Sequence, residues 1–416
     1  LKDRTQKSLA LWSLQHRVIR GQPFSFREHE YLYGIYCDTH PEIVVQKSAQ
    51  CGASEWFINE AFFIAEKGYV VLFLFPADPQ LNDFSHGRVD PAIIESPYLS
   101  KRVAGIDNVG LKQVGRGFVY FRGSQTKRKV KSVDADVIMF DEYDEMPEEA
   151  TALGEKRLGH SLLKYKRYVS TPTIPDSGIG LRYEESDQRR WHLKCEHCGH
   201  WQHLNFQDNI DLKTASVICS KCKKPIDRLA KGEWIAEYSD RPVHGYHINK
   251  LFCGRTNIKE LIESSFKTRS FEIQEFHNSD LGEPYIVEGG RVTDDLLLAC
   301  QDTYSMPSTE TCCTMGVDIG KDINVRISKH HGDIKRAVWI GRVKEFEELD
   351  VLMRQYDVSM AVIDALPETR KSTEFCNRWP GRAFRCYYWP SDTGRSEYFQ
   401  LSIEDQKVTA NRTMAG

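Results

Sequence analysis

Val137-Ile138-Met139-Phe140-Asp141-Glu142 decides the fold: four apolar residues run directly into two adjacent acids. A short apolar run of this kind is a buried strand. Delivering two carboxylates at its end is how such a strand supplies Mg²⁺-handling groups to a nucleotide site, which points to an ATPase. The competing reading is an Asp that merely closes a turn after a core strand, and the segments on either side bear on the choice.

Upstream, Ile43-Val-Val-Gln-Lys47-Ser-Ala-Gln-Cys-Gly52-Ala-Ser54 reads as a short strand and a loop, followed by a helical run from about Glu55 to Lys67. A standard phosphate loop uses glycines for close backbone approach, a Lys for the β/γ charge and a hydroxyl for Mg²⁺. Here Gly52 and Ser54 hold the second-Gly and hydroxyl positions, Ala53 stands where the Lys belongs, and Lys47 stands at the first Gly. The lysine has moved to the loop entrance. From there its long side chain can fold back over the phosphates, because the chemistry needs a cation near the developing charge rather than a fixed slot. A bare G-x-S before a helix otherwise reads as a helix start with Ser as cap.

The displaced lysine, the Asp141-Glu142 pair and Ser170-Thr171-Pro172-Thr173 after a second apolar strand together resemble the large subunit of tailed-phage DNA-packaging terminases, in the lambda-type subfamily. That subfamily's deviant loop reads Lys-Ser-Ala-x-x-Gly. The resemblance implies ATP binding by Lys47, Ser48, Ala49, Gln50, Cys51, Gly52, Ala53 and Ser54. It implies Mg²⁺ held with the nucleotide by Ser54 and Asp141, an attacking water polarised by Glu142, and a coupling role for Ser170 to Thr173. It further implies a ring of subunits, double-stranded DNA as track, a portal protein and a terminase small subunit as partners, and work in the host cytoplasm, transiently at the procapsid portal.

Cys195-Glu-His-Cys198 and Cys219-Ser-Lys-Cys222 are two C-x₂-C knuckles. Each puts two thiolates on one turn, and two knuckles complete a closed, tetrahedral Zn²⁺ site that serves structure. A redox dithiol pair is the competing reading, and His197 and His200 are nearby alternative ligands. Near the end of the chain, Cys313-Thr-Met-Gly-Val-Asp318 and Met360-Ala-Val-Ile-Asp364 are strands that each finish on an acid. A hairpin over Asn324 to Arg342 and a helix around Val343 to Tyr356 separate them. This order resembles the RNase H-like nuclease of terminases, with Asp318 and Asp364 as ligands of two Mg²⁺ or Mn²⁺ ions that activate water against a phosphodiester. The family's third acid has no counterpart in this reading. Asp405, in a polar segment, is not assigned, and the nuclease domain is expected to continue beyond Gly416.

The expected fold is therefore α/β. A P-loop ATPase with a mostly parallel sheet would occupy residues 1–305, including a zinc-ribbon insertion at about 190–232 and a lid and linker at 233–305. An RNase H-like nuclease domain, 306–416, would follow, starting near Met306-Pro307. Of the 416 residues 40% are hydrophobic, and no apolar run reaches the length of a membrane span. Twelve cysteines, four of them in the knuckles, suit a reducing compartment rather than a disulfide framework. A net charge of −3 argues against coating of DNA by bulk charge and points to local patches such as Lys127 to Lys131, Arg189-Arg190 and Lys221 to Lys224. Arg88, Arg102, Arg122 and Arg128 are candidate arginine fingers, and Gln22 with Phe24 and Phe26 a candidate adenine reader. Two other functions fit parts of the sequence: a zinc-ribbon helicase or translocase, which should lack the paired C-terminal acids, and a non-catalytic zinc DNA-binding adaptor, consistent with Ala53.

Overall fold

Val70–Phe75 and Val137–Asp141 are apolar almost throughout and buried from end to end save Val70. They pair in parallel, Val71 opposite Val137, and an 11-stranded sheet spreads from them. The parallel interior runs, in spatial order, Arg189–Lys194, His244–Ile248, Glu42–Lys47, Tyr165–Ser170, Val137–Asp141, Val70–Phe75 and Gly117–Gly123. Short antiparallel strands close both ends. The computed structural model describes residues 8–103, 105–287, 298, 301, 303, 305–320, 322–332, 334–389 and 399–411, in two units, Leu1–Val292 and Thr293–Gly416. Among the described residues no helix is long and apolar enough to cross a membrane.

The helix after the phosphate loop, Ala53–Glu66, is buried on nearly every side, including Asn59 and Glu60. Those two polar residues are matched. Arg17 donates to Asn59, and to Glu55 at 2.7 Å. Fully buried Arg167, on the Tyr165–Ser170 strand, reaches Glu60 through Nε at 2.9 and 3.1 Å. A buried charge is stable only when paired in this way, and the pair fixes the helix to the strand that ends at Ser170.

Residues 233–305 depart from the expected lid of helices. His244–Ile248 is an interior strand between Glu42–Lys47 and Arg189–Lys194, followed by Ile258–Ser265, Ser270–Glu275 and Phe276–Leu281. Its polar sequence hides the strand from periodicity, because hydrogen bonds such as Tyr246 Oη to Asp38 Oδ2, 2.5 Å, and His247 Nε2 with the Leu281 carbonyl, 3.0 Å, satisfy its buried polar groups. Residues 288–297, 299–300, 302 and 304 of the expected linker lie outside the described residues.

The second unit orders its strands Ile334–Val343, Ile323–His331, Cys313–Ile319, Val358–Asp364, Ala383–Trp389, Lys407–Asn411 and Phe399–Ser402. The first two junctions are antiparallel, the next three parallel and the last antiparallel. Helices Phe346–Gln355 and Thr369–Arg378 pack against the face that carries Cys313, Met315, Val317 and Ile319. Alternation along the strand therefore turns Gly316 and Asp318 to the opposite face. This is the RNase H-like arrangement expected from the sequence.

Candidate active sites

Three neighbouring strands end together. Glu42–Lys47 and Val137–Asp141 flank Tyr165–Ser170, so Lys47, Ser170 and Asp141 occupy adjacent carboxyl ends, the edge where open α/β sheets hold ligands. Lys47 is buried, and its Nζ donates to Glu142 Oε1 and Thr171 Oγ1, each at 3.2 Å. Lys47 thus joins Glu142, the second acid of the pair, to Thr171 in the Ser170–Thr173 segment. Burial alone would lower its proton affinity, yet Glu142, Cys51 and Asp141 together carry it above the ordinary lysine value. It remains a cation.

The loop itself is braced. The Ser48 amide donates to the Ile248 carbonyl at 2.7 Å and the Ala49 amide to the Ser279 carbonyl at 2.8 Å. Gly52, at φ +85°, makes the left-handed turn into the helix, where a Cβ would lie 3.0 Å from Leu32 Cδ1. Ser54 is half-buried in the first helical turn. Glu142 adopts φ +52°, uncommon for a residue with a Cβ. This turns its carboxylate out of the strand line toward Lys47.

Asp141 is buried with its Oδ1 unpartnered, and Ser48 Oγ is in the same condition. Burial, with Glu142 adding to it against Lys47 and Arg88, pushes the Asp141 carboxyl up to about 7. A buried acid oxygen and a buried hydroxyl without partners are groups that a nucleotide with its Mg²⁺ would satisfy. Of the four candidate arginines, Arg88 is the one whose charge acts on Asp141. Arg102 pairs with Glu66, Arg122 donates to the Gly110 and Phe121 carbonyls, and Arg128 lies on the short helix Lys127–Lys131. The adenine reading is corrected: Phe24 and Phe26 pack edge to face with each other and both lie against Tyr36, in the core. Asp144 escaped sequence reasoning altogether. Its Oδ2 accepts from Thr173 N and Oγ1, both at 2.9 Å, and its Oδ1 from Ile179 N at 2.6 Å.

The four knuckle cysteines converge, with all four Sγ atoms within 4.8 Å of one another. Cys195–Cys222 and Cys198–Cys219 stand at 3.8 and 3.7 Å. A tetrahedron with Zn–S distances of about 2.3 Å has S···S edges of about 3.8 Å, so the donor set fits Zn²⁺. Gln202 Oε1 supports the second knuckle by accepting from Ser220 N and Oγ at 2.8 and 2.9 Å. His197 Nε2 is engaged with the Pro225 carbonyl instead.

In the second unit, Val317 pairs with Ile363, so Asp318 and Asp364 emerge side by side from adjacent parallel strands. Burial and then the neighbouring Asp318 raise the Asp364 carboxyl above its ordinary value. Asn324 Nδ2 donates to Asp318 Oδ2 at 3.1 Å and Tyr388 Oη to Asp364 Oδ1 at 3.2 Å. The acids open into a cleft of about 620 Å³ that Arg326 and Arg342 also line. Asp405 sits in the turn between Phe399–Ser402 and Lys407–Asn411, bonded to Ser402 Oγ at 3.0 Å. It precedes Lys407–Asn411, so it stands before the amino end of that strand rather than at a carboxyl end like Asp318 and Asp364.

The family model described as "Phage terminase large subunit gpA, ATPase domain" matches residues 32–237, and "Terminase large subunit gpA, endonuclease domain" matches 243–331. The large terminase subunit of Escherichia phage lambda is 32% identical over 183 residues, 40% of this chain, and that of Enterobacteria phage P21 is 28% identical over 179 residues, 39% of this chain. The match spans 28% of the length of either relative. Among solved structures, the HK97 bacteriophage large terminase aligns with a TM-score of 0.45 and 9% identity over 91% of this chain and 84% of that one.

Proposed function

The chain belongs to the gpA family of phage terminase large subunits, and from that membership we propose that it is a DNA-packaging motor subunit. It would hydrolyse ATP to drive double-stranded DNA into a procapsid and cut the concatemer with a metal-dependent endonuclease. The observation that carries the ATPase half is Lys47, which spans three strand ends to touch both Glu142 and Thr171. In this reading the 48–54 loop cradles the phosphates, Asp141 and Ser54 hold Mg²⁺, and Glu142 polarises the attacking water. Bound Mg²⁺ would supply charge neutralisation across the phosphate oxygens. An arriving phosphate would compete with Glu142 for Lys47, releasing the carboxylate to act as the water's base.

Asp318 and Asp364 would hold the nuclease metal ions, with Arg326 and Arg342 placed to meet DNA phosphates. A homo-oligomeric ring, a portal protein, a small subunit and action in the host cytoplasm at the portal complete the proposal. The paired acids weigh against a zinc-ribbon helicase, and the Lys47–Glu142 ion pair weighs against a non-catalytic zinc adaptor.

The test is ATP turnover with and without linear double-stranded DNA, comparing the wild type with Glu142→Gln. Loss of a positioned base should lower kcat by about 10²–10⁴-fold with nucleotide affinity retained. Equal turnover in the two proteins would remove Glu142 from this role, and absence of turnover in the wild type would favour the adaptor.

A further inference from the structure

Asp144 lies two residues past Glu142, on the turn Tyr143–Glu145, and its bonds all lead away from that turn toward one segment. Its amide donates to Ser170 Oγ at 3.2 Å. Its carboxylate accepts from Thr173 N and Thr173 Oγ1 on one oxygen and from Ile179 N on the other. Ile179 opens the helix Gly178–Glu185, whose N-cap residue Ser177 makes no side-chain cap bond, so the carboxylate of Asp144 caps that helix from another part of the chain. The fit is close on the far side as well. Gly178 has φ +55°, and a Cβ there would lie 2.5 Å from the Asp144 carboxyl group.

These bonds close a circuit. Lys47 holds Glu142 and Thr171, Glu142 is joined through the turn to Asp144, and Asp144 holds Thr173, two residues from Thr171. Thr173 also passes the connection onward, since its carbonyl accepts from Tyr285 N at 3.1 Å. Tyr285 in turn stacks on His277, with ring centroids 3.9 Å apart.

Resting on the ATPase reading above, we infer that Asp144 is a positioning residue: it ties the turn that carries Glu142 to the Ser170–Thr173 segment, so that a change of nucleotide state at Lys47 and Glu142 moves that segment as one piece. Three charge-assisted hydrogen bonds to a half-buried carboxylate make a stiff connection. Nothing in the circuit requires Asp144 to touch nucleotide.

The experiment uses the full chain and two readouts. One is the split between kcat and KM for ATP. The other is amide hydrogen exchange over 170–181, compared with and without Mg²⁺ and a slowly hydrolysed ATP analogue. In the wild type the analogue should change exchange in this stretch. In Asp144→Ala that change should vanish, with KM within about threefold of wild type and kcat down about tenfold. Asp144→Asn, which keeps one acceptor oxygen, should fall between the two. Thr173→Val, which removes a single hydroxyl and tests the same connection should Asp144→Ala fold poorly, should shrink the change. A nucleotide-dependent change of wild-type size in these variants, or a KM that rises in step with the loss of kcat, overturns the inference. A wild type with neither turnover nor a nucleotide-dependent change overturns the ATPase reading and, with it, this inference.

Discussion

Asp141→Asn should stabilise the nucleotide-free protein, and by an amount that grows with pH. Folding buries the Asp141 carboxyl with one oxygen unpartnered and raises it from an ordinary 3.8 to about 7. Between those values the folded state holds a proton that the unfolded chain has released, so stability falls as pH rises through the window and levels off above it. At about 1.4 kcal/mol per tenfold change in proton affinity, the full cost is roughly 4 kcal/mol above pH 7. Asparagine keeps the shape and carries no charge to bury, and Lys47 retains Glu142 as its partner. The measurable quantity is the difference between two conditions: from about pH 5.5 to about pH 8.5 the advantage of Asp141→Asn should widen by about 2 kcal/mol. That corresponds to about 4 °C in Tm for a unit of this size. Thermal melts of both proteins without nucleotide or Mg²⁺ provide the assay. An advantage independent of pH, or a variant less stable than wild type at the higher pH, would refute the account of Asp141 as a strained charge held ready for a metal ion.

Two further outcomes follow from the other sites. Asp318→Asn and Asp364→Asn should each reduce Mn²⁺-dependent nicking of supercoiled plasmid by about 10²-fold or more, and undiminished nicking by either would dismiss the acid pair as the metal site. The purified chain should carry about one zinc per molecule, and Cys219→Ser should lose it and become open to protease within residues 195–226. Zinc that survives the substitution, or a wild type without any, would rule out the four-thiolate site.

The parallel sheet was legible because its central strands are apolar on both faces, and Val137 to Asp141 states that pattern in five residues. The second unit was legible for a related reason: two strands that each stop on an acid, with a hairpin and a helix between them, fix which strands must lie together. What sequence could not supply is strand order. Placing Tyr165–Ser170 between the Lys47 and Asp141 strands is what joins Lys47 to Thr171 and Asp144 to Thr173, and separations of 124 and 29 residues leave no local trace. Polar strands were lost for a different reason. His244–Ile248 satisfies its buried groups through partners elsewhere in the chain, so its burial does not register as hydrophobicity. Phe24 and Phe26 erred the other way: aromatics near a nucleotide motif suggested a ring for adenine, but burying them against Tyr36 is the larger gain.

The position of His244–Ile248 bears on how such proteins exchange parts. The stretch matched to the endonuclease family begins at residue 243, so this strand travels in sequence with the nuclease, yet it lies beside the strand that carries Lys47. The seam between the two family matches is therefore not a seam of the fold. Recombination there would hand one phage's phosphate-loop neighbour to another, and Glu42–Lys47 would have to accept a foreign strand along its whole length. An inherited unit that keeps the nucleotide site intact has to run past Ile248, and as far as Tyr285 if Ser279 and Thr173 are to keep their partners. A chimera that exchanges the cutting domain should therefore be joined after Tyr285, some forty residues beyond the start of the endonuclease match.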